Sequence, residues 1–192
     1  LKETAKIAGE AAKAVKGAGA SVQELQDAVS RVYATVYEKS IAGGLDNLRK
    51  NNFSIAAAKG EGQTHLARKL IMDFIAQDRA LGSNLELNKA QLVYVEDVLR
   101  RNFGEGVIKL DQVFSVKGEK IMEVLEQAKS LSEEKLQNIQ EKFVPEISEK
   151  TWKKLTDYDS VVINHEAVNA VRAEAEKKAA EAASKFMQEA VQ

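Results

Sequence analysis

The sequence predicts an all-α fold, an elongated antiparallel bundle of three to four long helices with coiled-coil-like seams. Three observations carry this. Alanine (27) and glutamate (21) make up about a quarter of the 192 residues, a composition of strong helix formers. There is one proline in the chain. Apolar residues recur at seven- and eleven-residue spacings over long stretches, the mark of helices that pack side by side.

The first segment carries a heptad seam. Stepping seven from Leu1 gives Leu1, Ala8, Val15, Val22, Val29 and Val36, and stepping from Thr4 gives Thr4, Ala11, Ala18, Leu25, Val32 and Lys39. This phase passes unbroken through "VKGAGASV" at 15 to 22. Gly17 and Gly19 fall off the seam and cost roughly 2 kcal/mol together, which burial of a long seam can offset, so one continuous helix is expected there. "IAGGLDNLRKNN" at 41 to 52 is a weaker candidate for a kink or irregular stretch. "KGEGQT" at 59 to 64 reads as an interhelical turn, with glycines after an alanine run and Thr64 before "HLARKLI".

The second segment has its own seam: Ile71, Phe74, Asp78, Leu81, Leu85, Asn88, Leu92, Val95 and Leu99. It crosses "ALGSNLE" at 80 to 86 without resetting, so helix is expected through that stretch too. Asp78 and Asn88 on it either fix register or lie at the edge of the seam, the second reading being preferred. "NFGEG" at 102 to 106, after "LRRN", is a second turn. Pro145 in "KFVPEISEKTW" ends or kinks a helix at Val144 and suits the first turn of the next. "TDYDS" at 156 to 160 is another weak break.

The last segment repeats every eleven residues: Val168, Val171, Ala175, Ala179, Ala182, Phe186 and Ala190. That period keeps a mostly alanine stripe on one face of a nearly straight helix, where a neighbour can approach closely. The expected helical regions are thus roughly 1 to 58, 63 to 103, 107 to 144 and 146 to 191, packed as one elongated unit over 1–192. A ~40-residue helix is about 60 Å long. An up-down-up-down path places "KGEGQT" and the Pro145 bend at one end and "NFGEG" at the other, with both termini together.

Chemistry is sparse. With no cysteine there is no disulfide, thiolate metal site or cysteine nucleophile. The net charge of -1 gives no global attraction to nucleic acid or anionic membrane, and no nucleic-acid partner is expected. No apolar run approaches the ~20 residues that span a bilayer. The chain starts at Leu1 rather than Met and so reads as a mature or trimmed one, and removal of a signal or an anchor from either end would leave no trace in it.

The two histidines, His65 and His165, are not in the Glu-x-x-His spacing of a dimetal bundle. Glu61 and His65 stand one helical turn apart, but such a pair beside a glycine turn reads as solvated surface rather than a metal site. "GAGASV" and "GEGQTH" carry only Gly-x-Gly, lack the third glycine and follow no recognisable strand, so no nucleotide loop is read from them. No Gly-x-Ser-x-Gly elbow occurs. The expectation is therefore a non-enzyme with no catalytic residue, metal or cofactor. "NLRKNN" and "LRRN" supply positive charge at helix ends, where it complements the helix dipole. Trp152, with Tyr158 nearby, is read as packing between helices. One acceptor sequence for N-glycosylation is present, Asn52-Phe53-Ser54, and Asn52 is the candidate modified residue.

Tracts such as "AKIAGEAAKAVKGAGA" and "AVNAVRAEAEKKAAEAASKF" resemble the glutamic acid/alanine-rich surface protein family of trypanosomes and, more distantly, the N-terminal domains of variant surface glycoproteins. The likeness runs along the whole chain and has no signature motif. It implies a non-enzymatic coat glycoprotein, an elongated bundle held on the outer face of the plasma membrane of insect stages by a glycosylphosphatidylinositol anchor. Its partners would be neighbouring coat proteins, with the membrane contacted only through the removed C-terminal anchor and any host or vector ligand unspecified. Lack of cysteine sets the chain apart from variant surface glycoproteins and the related haptoglobin-haemoglobin receptor. Two other classes share these features: a lipid- or membrane-interacting bundle, disfavoured by seams of Ala and Val, and an intracellular coiled-coil scaffold.

Overall fold

The computed structural model describes residues 2–191, except the side chains of Lys2 and Ala18, so Leu1 and the side chain of Ala18 on the expected seam lie outside the described residues. The described chain is mostly helical, with 72% helix and 5% strand. The helices are α1 (Lys2–Ala18), α2 (Val22–Arg49), α3 (Gln63–Ala80), α4 (Lys89–Arg101), α5 (Gly118–Lys129), α6 (Glu133–Lys142), α7 (Glu149–Leu155) and α8 (His165–Ala190). Two strands, β1 (Asn52–Ala56) and β2 (Val113–Lys117), interrupt them. In place of one bundle of three or four long helices over 1–192, the chain forms two compact units, Leu1–Asp46 with His165–Gln192, and Asn47–Asn164.

The first unit is built from α1, α2 and α8. Helix continuity through "VKGAGASV" is overturned: α1 stops at Ala18, Gly19 takes φ +62°, and α2 starts at Val22. Glycine enters the left-handed region without the Cβ clash that L residues meet. Ser21 then starts the next helix, its hydroxyl accepting the Glu24 N–H at 3.2 Å and donating to the Glu24 carboxylate at 3.2 Å. The seam breaks with the helix, and Val22 is 72% exposed.

Ala8, Ala12, Ala28, Val32 and Val36 are nevertheless buried, around Ala179, Ala182 and Phe186 of α8. The eleven-residue stripe of α8 faces inward as its period requires, with Val168, Ala175, Ala179, Ala182 and Phe186 buried. Gly44 lies against Val171, and Glu3 pairs with Lys39 at 2.9 Å. Glu3, Thr4 and Ile7 at the start of α1 line a pocket with Lys39 and Lys178.

The second unit is a mixed one. "NFSIA" and "VFSVK", expected as helix, pair as an antiparallel ribbon with Phe53 opposite Val116, Ser54 opposite Ser115 and Ile55 opposite Phe114. Period-two alternation explains this: Phe53, Ile55 and Val116 join the core, while Ser54 and Ser115 share an outward hydrogen bond of 2.7 Å. The ribbon leads into α5 at Gly118, where an added Cβ would lie 1.5 Å from the Arg49 carbonyl oxygen.

The expected helix over 63 to 103 is also broken. It folds into α3 and α4, with Gly82 at φ +86° in the connection. Asn88 caps α4: its side chain accepts the Gln91 N–H at 2.8 Å, and the Gln91 side chain accepts the Asn88 N–H at 2.9 Å. Leu81, Leu85 and Leu87 stay buried although the backbone around them is not helical. The Gln63 amide donates to the carbonyls of Gly104 at 3.4 Å and Gly106 at 3.2 Å. "KGEGQT" and "NFGEG" therefore meet, instead of lying at opposite ends.

Pro145 behaves as expected. It sits in a 3-10 turn, Val144–Glu146, just after α6 ends. Trp152 is buried in the core with Phe74, Leu99, Ile121 and Leu125. Asp78 is not at an edge: its carboxylate is 2% exposed and takes two hydrogen bonds from the Arg49 guanidinium, at 2.9 and 2.5 Å.

Candidate functional site

The residues singled out by the sequence fall in different places. Asn52 opens β1, exposed, opposite Lys117 and on the same outward face as Ser54. The glycosylation sequence is thus on a regular strand. Glu61 and His65 are occupied by structural work. The Glu61 carboxylate accepts the Ala58 N–H at 2.8 Å and the Lys69 ammonium at 2.6 Å, and the Lys69 bond above all holds its pKa below the usual carboxylate value. His65 Nδ1 accepts the Gly62 N–H at 3.4 Å. Among the described residues there is no group of three or more His, Asp or Glu that could hold a metal ion.

The two basic clusters part company. Arg49 of "NLRKNN" lies in the last turn of α2, as expected, and is also the partner of buried Asp78. Arg100 and Arg101 of "LRRN" both donate to Asp97, Arg100 at 2.5 Å.

These last residues border a feature that sequence reading missed. A groove of about 550 Å³ runs between α4, the start of α3, and the α6 end with its Pro145 turn. Its size falls in the range of small-molecule sites. One wall, from α3 and α4, carries Arg68, Glu96, Asp97, Arg100 and Arg101 with Val93 beside them; the other carries Ile139, Phe143 and Ile147, with Glu146 among them. Arg68 is bound to Glu96 through two hydrogen bonds, 2.8 and 3.2 Å, with both side chains less than one fifth exposed. This pair joins α3 to α4. Phe143 is 48% exposed, unusual for a large aromatic side chain.

The helix face of α4 was the only available signal for this groove. Val93, Asp97 and Arg100 follow at i, i+4 and i+7, opposite the buried stripe of Leu92, Val95 and Leu99. The facing wall comes from α6, some 45 residues on, and no local pattern announces that pairing. Asp73 on α3 is a further group with a perturbed environment: burial raises its pKa to about 6, against a smaller opposing effect of Lys69.

Among the described residues, no helix is long and apolar enough to cross a membrane. No family model, curated protein or solved structure matches the chain.

Proposed function

We propose that this is a non-enzymatic cell-surface coat protein, carried on the outer face of the plasma membrane of a trypanosome by a glycosylphosphatidylinositol anchor. The observation that supports it most is topological. Both chain ends belong to the alanine-seamed unit of α1, α2 and α8, and residues 47–164 are inserted between α2 and α8. An anchor following α8 would attach through the unit that α8 belongs to.

The mechanism on this reading is steric. Neighbouring copies packed side by side shield the membrane, and alanine lets α1 and α8 pack closely within each copy. Exposed Asn52 on the inserted unit carries an N-glycan in this reading.

The test uses intact cells that produce the protein. Surface biotinylation should label it, phosphatidylinositol-specific phospholipase C should release it, and peptide N-glycosidase should lower its mass unless Asn52 is replaced by Gln. A protein that stays unlabelled inside intact cells and is freed only by lysis would overturn the proposal in favour of an intracellular scaffold.

A further inference from the structure

We propose that the groove between α4 and α6 binds a small amphipathic organic acid, its carboxylate on Arg100 and Arg101 and its apolar body along Val93, Ile139, Phe143 and Ile147. This inference stands apart from the coat reading and does not depend on it. Three features of the groove point the same way.

The first is a division of labour among its arginines. Arg68 is committed to Glu96 by two hydrogen bonds in a mostly buried setting. Arg100 and Arg101 instead share one carboxylate, Asp97, and their side chains are 47% and 72% exposed. A guanidinium has five N–H donors, and pairs on an exposed helix surface are held weakly. A ligand carboxylate can therefore take these donors at little cost. Over the whole lining Arg68, Arg100 and Arg101 face Glu96, Asp97 and Glu146, so an anion is selected by the exposed guanidinium donors and not by net charge.

The second feature is the opposite wall. Phe143 stands half exposed at the end of α6, flanked by partly buried Ile139 and Ile147. An apolar body laid across these residues removes them from water, which a small inorganic anion would not do. The third is volume: about 550 Å³ lies within the range of small-molecule sites and accepts an organic acid.

Dodecanoate and dodecanol, kept below their aggregation limits, separate these contributions in titration calorimetry. The expected result is saturable one-to-one binding of dodecanoate, at least tenfold tighter than dodecanol. Asp97→Asn should tighten dodecanoate severalfold and leave dodecanol unchanged, because it releases the two guanidinium groups. R101Q, at the more exposed of the two, should weaken dodecanoate about fivefold, and Phe143→Ser should weaken both ligands. Unchanged Trp152 fluorescence in each variant controls for folding. Non-saturable uptake, equal affinity for acid and alcohol, or an Asp97→Asn variant that binds dodecanoate no more tightly would each overturn the assignment.

Discussion

The two units bury their helices by opposite means. In the unit of α1, α2 and α8 the core is mostly alanine and valine around one large residue, Phe186. In the inserted unit it is leucine, isoleucine, phenylalanine and tryptophan, held among short helices and a two-stranded ribbon. Alanine removes little apolar area from water per residue, so the first unit gains by bringing long backbones close together. The inserted unit gains through large side chains, and its short elements need specific turns to aim them. The first arrangement tolerates local adjustment; the second depends on a few fixed contacts.

Two glycines test that contrast, and the larger effect is expected at Gly118. A Cβ there would sit 1.5 Å from the Arg49 carbonyl oxygen, a backbone atom that cannot move without shifting the whole junction of α2 and α5. Gly118→Ala should cost more than about 3 kcal/mol. At Gly44 of the other unit the added Cβ would lie 2.5 Å from a methyl of half-buried Val171, a side-chain atom rather than backbone. Gly44→Ala should cost about 1–2 kcal/mol. Urea unfolding followed by Trp152, the sole tryptophan, reports the inserted unit, and far-ultraviolet circular dichroism reports both. A Gly118→Ala protein with an unshifted Trp152 transition would refute the fixed-junction account.

A second comparison sets ion pairs against each other. Asp78 is closed off from water and relies on the Arg49 guanidinium, whereas Glu3 and Lys39 of the other unit are both more than half exposed. Arg49→Met would leave a buried carboxylate without these two donors and should cost about 3 kcal/mol. Arg49→Lys keeps the charge but cannot form the two-pronged bond, and should fall in between. Removing the Lys39 ammonium should lower stability hardly at all. The same Trp152 transition measures the Arg49 variants, and equal losses at Arg49 and Lys39 would dissolve the distinction.

The contrast also decided what the sequence could reveal. The eleven-residue stripe of α8 translated directly into burial, because on a straight helix period and face are the same thing. The heptad phase through Val22 misled for a related reason: phase constrains which residues face inward but not whether the backbone is continuous. The stop was written locally, in Gly19 and in "SVQE", where Ser21 and Glu24 have the spacing of a helix start. "ALGSNLELNKAQ" hides the same grammar in Gly82, Asn88 and Gln91. The ribbon was legible too, since "NFSIA" and "VFSVK" both alternate with period two, although an overall helix-rich composition outweighed five-residue signals. The groove was not. It exists because α6 packs across α4, a long-range pairing that no residue near either helix specifies.

The smallest predicted effect separates the units by pH. Glu3 has its pKa lowered, chiefly by the hydrogen bond from Lys39, so its contribution is present above the ordinary carboxylate range and fades as pH falls below it. Asp73 works in the other direction. Burial lifts its pKa from 3.8 to about 6, so between those values the native state holds a proton that the unfolded chain has released. Stability from this group therefore falls as pH rises from about 4 to 6, and at neutral pH the native state carries a charged carboxylate in a poorly solvated place. Asp73→Asn removes that charge. It should stabilise the inserted unit at pH 7.5 by about 1 kcal/mol or less, because solvent still reaches part of the carboxyl group and screens it. The gain should shrink to nothing by pH 4, where the wild-type group is protonated in the native state. Thermal unfolding of both proteins across this range, followed by Trp152 fluorescence, gives the difference directly. A gain that is independent of pH would mean that asparagine packs better rather than that the charge was costly.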